Sequence, residues 1–117
     1  MYTLLLGDEK MCLRIGKLLA DRLEVQVYEI PSREALPPEK AILVAINMTV
    51  GHAFSLGERI SSVLVFESVG FASSQISLIC GVFEGRVYRI PTCRESDSDV
   101  VDMCLAALNV NVSSIIV

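Results

Sequence analysis

The sequence is short of charge, of basic runs, of long apolar segments and of closely paired cysteines. Charged residues make up only 21% of it, with ten Lys and Arg against fourteen Asp and Glu. No basic run exceeds two residues, and the net charge is −4. Phosphate neutralisation supplies most nucleic-acid affinity, so this balance argues against direct nucleic-acid binding. No apolar run approaches the roughly 20 residues that span a bilayer. The opening MYTLLLGDEK lacks the basic flank and cleavage pattern of a signal peptide. Cys12, Cys80, Cys93 and Cys104 never fall as C-x-x-C, which gives no zinc motif. They read as reduced thiols in a cytoplasmic protein. His52 is the only histidine. No Ser-His-Asp or metal-ligand pattern accompanies it, and a loop or helix-start role is expected.

What remains is apolar. The 117 residues are 52% hydrophobic, enough for one domain with a substantial core. Tyr2 to Leu6 is a short apolar run ended by Gly7-Asp8, the pattern of a fully buried strand. Cys12, Ile15, Leu19 and Leu23 then recur at helical spacing, with Asp8 placed to cap the helix. Glu24 to Ile30 alternates as a strand and stops at Pro31. Ser32 to Leu36 leaves room for a helical turn, and Ala41 to Ile46 is a second apolar strand. A helix over 53–61 and a strand over 62–66 follow. Residues 75–83 fit a helix face and a strand face equally well; Ala72 to Gln75 as a start and Gly81 or Gly85 as a stop favour the helix. Arg86 to Ile90 reads as a strand and Ser96 to Leu108 as a helix with acids in its first turns. Val110 to Val117 is β-prone: an added edge strand, a linker or a pairing surface.

Apolar strands alternating with amphipathic helices predict an α/β fold, a three-layer doubly wound parallel sheet of five strands in the flavodoxin-like class. The domain is expected to occupy residues 1–108, with residues 109–117 as tail. Ligands in such sheets sit at the carboxyl ends of the strands. That directs attention to Gly7-Asp8-Glu9, Ala45-Ile46-Asn47, Glu67-Ser68 and Ile90-Pro91.

Those segments, read as LLLGDEKM, AINMTVGHAFSLGERI and YRIP, resemble the receiver domain of response regulators across Tyr2 to about Leu108. In that family one carboxylate accepts phosphate, two more acids hold Mg²⁺, and a hydroxyl and a lysine engage the phosphoryl oxygens. Carried over by position, Asp8 matches the second acid and Gly7 replaces the first. Ala45 replaces the acceptor. Asn47 matches the residue that lends its backbone carbonyl to the metal. Ser68, or Glu67 under a one-residue shift, takes the hydroxyl position. Ile90 replaces the lysine, and Pro91 is kept. The resemblance therefore implies a degenerate pocket: a non-enzymatic pseudo-receiver that signals or scaffolds by protein contact. It implies no cofactor and no metal, save a residual site at Asp8 and Glu9. The expected partner is a protein or a second copy. The expected interaction face, with Ile76, Phe83, Val87 and Tyr88, resembles the usual output surface of receivers. A second resemblance, short and confined to LLLGDE with Arg14-Ile15 and Leu18, is to hydrogenase-maturation endopeptidases. It would make Glu9 a nickel ligand of a degenerate metalloprotease.

Overall fold

The computed structural model describes residues 1–31, 35–37, 39–67, 74–92 and 96–116, and of residues 67, 74, 75 and 110–116 the backbone alone. Five strands and four α-helices form within them: β1 (Tyr2–Leu6), α1 (Glu9–Leu23), β2 (Gln26–Ile30), β3 (Ala41–Ala45), α2 (Val50–Leu56), β4 (Ile60–Glu67), α3 (Ser74–Val82), β5 (Val87–Pro91) and α4 (Asp97–Ile116). A 3-10 turn, Gly57–Arg59, joins α2 to β4.

All five strands are parallel, in the order β2-β3-β1-β4-β5. The α/β class and the parallel five-stranded sheet are as the sequence predicts, consistent with a flavodoxin-like fold. Within that class the order differs in one respect: β1 and β3 have exchanged places relative to the 2-1-3-4-5 arrangement of flavodoxins and receivers. β1 is central, and Tyr2, Leu4 and Leu6 point to one face while Leu5 points to the other. The period-2 alternation of strand side chains thus feeds two cores. On one face α1 and α4 pack together over Leu5, Ile42, Val44, Leu64 and Phe66. On the other, α2 and α3 pack together and cover Leu4, Leu6, Leu43, Val63 and Val65. α1 lies close on the sheet because residue 16 is glycine: a Cβ there would meet Val44 Cγ2 at 3.1 Å and Leu5 Cδ1 at 3.2 Å.

The ambiguous stretch before Phe83 is helical, as α3. The tail departs from its β-prone reading. No sixth strand forms among the described residues; residues 110–116 continue α4. After Pro91 the sequence has no Gly and no Pro, so nothing punctuates the helix. The helix penalty of each Val and Ile is only a few tenths of a kcal/mol. The helical turn expected over 32–36 falls partly outside the described residues. Leu36, the last residue of that segment, packs on the α2–α3 side of the sheet, where the Tyr2 hydroxyl donates to the Pro37 carbonyl.

Candidate functional site

β1 and β3 are neighbours, yet their chains leave for opposite faces, β1 through α1 and β3 through α2. That is a topological switch point, where doubly wound sheets open a crevice. A cleft of about 460 Å³ lies there, lined by Leu6, Gly7, Asp8, Glu9, Lys10, Ala45, Asn47, Met48, Ile76 and Ile79.

Its walls follow from local chemistry. Asp8 accepts a hydrogen bond from the Met11 N–H at 3.0 Å, capping α1, so one carboxylate oxygen is committed to the helix. Glu9 and Lys10 are exposed. Asn47 adopts φ 51°, a left-handed conformation that asparagine tolerates at a strand-to-helix turn. Leu6, Met48 and Ile79 are buried, and Ala45 is 8% exposed, giving an apolar floor. Gly7 is fixed by its backbone. Its φ is +141°, and a Cβ would stand 3.0 Å from the Phe66 carbonyl oxygen of β4. A carboxylate at position 7 would collide with β4 in this conformation.

Of the residues singled out from the sequence, Gly7, Asp8, Glu9, Ala45 and Asn47 come together in this cleft. Ile90 and Pro91 do not. They end β5, three strands from β3 in the sheet, about 14 Å at the usual strand spacing. Ile90 is buried in the α1–α4 core, and both line a separate groove of about 790 Å³ between α3, β5 and α4. The exchange of β1 and β3 moves β5 one strand further from β3 than the receiver order would. Ser68 and Cys93 lie outside the described residues, and of Glu67 only the backbone is described. Among the described residues no three of His, Cys, Asp and Glu converge as a metal group, at Glu9 or elsewhere. Likewise, no described helix is long and apolar enough to cross a membrane.

Searched against protein-family models and against curated proteins, the chain matches none.

The remaining titratable candidates have structural roles. The His52 Nδ1 accepts from the Thr49 N–H at 3.1 Å while Thr49 Oγ1 accepts from the His52 N–H at 3.2 Å, a reciprocal cap on α2. Burial, followed by the nearby Asp8, Glu9 and Cys104, pushes the Cys12 thiol up to about 12. Burial pushes Cys104 to about 12 as well. Burial also raises Cys80, with Arg89 opposing. None is the low-pKa thiol that nucleophilic chemistry needs.

The expected interaction face does not form as one surface. Phe83 is 0% exposed in the α2–α3 core, with Ile76 and Val87 packed beside it, whereas Tyr88 packs on the opposite core. Successive strand residues point to opposite faces, which divides Val87 from Tyr88. The large exposed apolar side chains of that helix layer are instead Phe54, 69% exposed on α2, and Leu78, 59% exposed on α3. Their signal in the sequence is an absence: no Asp, Glu, Lys or Arg occurs from Ala41 to Gly57 or from Ser68 to Phe83.

Proposed function

We propose that the chain is a non-enzymatic signalling or scaffold domain that works by protein contact, with a sterile crevice where a phosphate-accepting domain carries its machinery. The observation that carries this reading is the apolar floor at the end of β3. Ala45 offers a methyl group where a nucleophile or a metal-binding carboxylate would have to stand. Two further features support it. Gly7 cannot gain a side chain without moving β4, and Asp8 is engaged in capping α1. Glu9 and the second oxygen of Asp8 are a poor donor set for Mg²⁺, which favours near-octahedral oxygen coordination. The reading rests on this chemistry rather than on kinship with receivers, since the strand order is not theirs.

Incubation with acetyl phosphate and Mg²⁺ tests it by intact mass. The expected spectrum shows no added phosphate. A stoichiometric, base-labile phosphoryl adduct would contradict the proposal. Calorimetric titration with Ni²⁺ addresses the metalloprotease reading: no saturable heat is expected at micromolar metal. A single site abolished by Glu9→Gln would instead support that role for Glu9.

A further inference from the structure

We draw no further inference here: the strongest candidate, the groove of about 790 Å³ that runs along β5 between α3 and α4, carries nothing because nothing in the structure shows what covers it.

Discussion

A methyl group at position 45 decides what the crevice can do. Ala45→Asp would supply a carboxylate at the end of β3, but with Gly7 unable to take a side chain and Ile90 remote, nothing supports a phosphoryl group or its metal. The expected outcome is therefore a stability loss of about 1–3 kcal/mol at neutral pH, without phosphorylation. Its pH dependence has a definite sign. Burial disfavours the anion, so the introduced carboxyl has a folded-state pKa raised above its ordinary value of about 3.9. Below about pH 4 the group is neutral in both states and the penalty is smallest; it grows as pH rises through the raised value and then levels off. Urea unfolding of variant and parent at pH 4 and pH 7 checks this, and equal stability at pH 7 would show a site open to water. At this scale the sequence was legible wherever a residue's role is local. Asp8 as a cap and Ala45 at a strand end follow from punctuation and apolar runs. Ile90 was not, because its distance from Ala45 depends on strand order, and Phe54 was not, because a seven-residue helix shows little periodicity.

Elements were legible where they are long or sharply punctuated. α1 and β3 match their sequence patterns closely, and α3 follows the helical alternative of an ambiguous stretch. α2 starts three residues earlier than its apolar pattern implies, because the Thr49–His52 box fixes its first turn. In so short a helix the cap matters. His52→Ala should cost about 0.5–1 kcal/mol and speed amide exchange in residues 50–53. Unchanged exchange in the variant would show that packing on α3 alone holds α2. The end of α4 was illegible for the opposite reason. Local β propensity pointed one way, but the absence of any Gly or Pro stop lets the helix run on to Ile116.

For the whole molecule, the sheet order is the least readable feature, since pairing between β1 and β3 joins residues about forty positions apart and leaves no local trace. The cores it closes have a measurable consequence. Cys12 and Cys104, both buried between α1, α4 and the sheet, are each held near 12 against an ordinary 9.0. A raised thiol pKa gives stability that is complete below pH 9 and lost as pH climbs toward 12, at up to about 1.4 kcal/mol per pH unit for each thiol. Urea midpoints should accordingly fall steadily from pH 9 to pH 11, and flat midpoints would mean that the α1–α4 layer admits water. Whether the crevice can take phosphate or metal is read from amide NMR of the full chain with and without Mg²⁺ and acetyl phosphate. The amides of Gly7, Asp8, Glu9, Ala45 and Asn47 should keep their positions in the spectrum. A saturable shift centred on those five amides would show a working phosphate or metal site and contradict a sterile crevice.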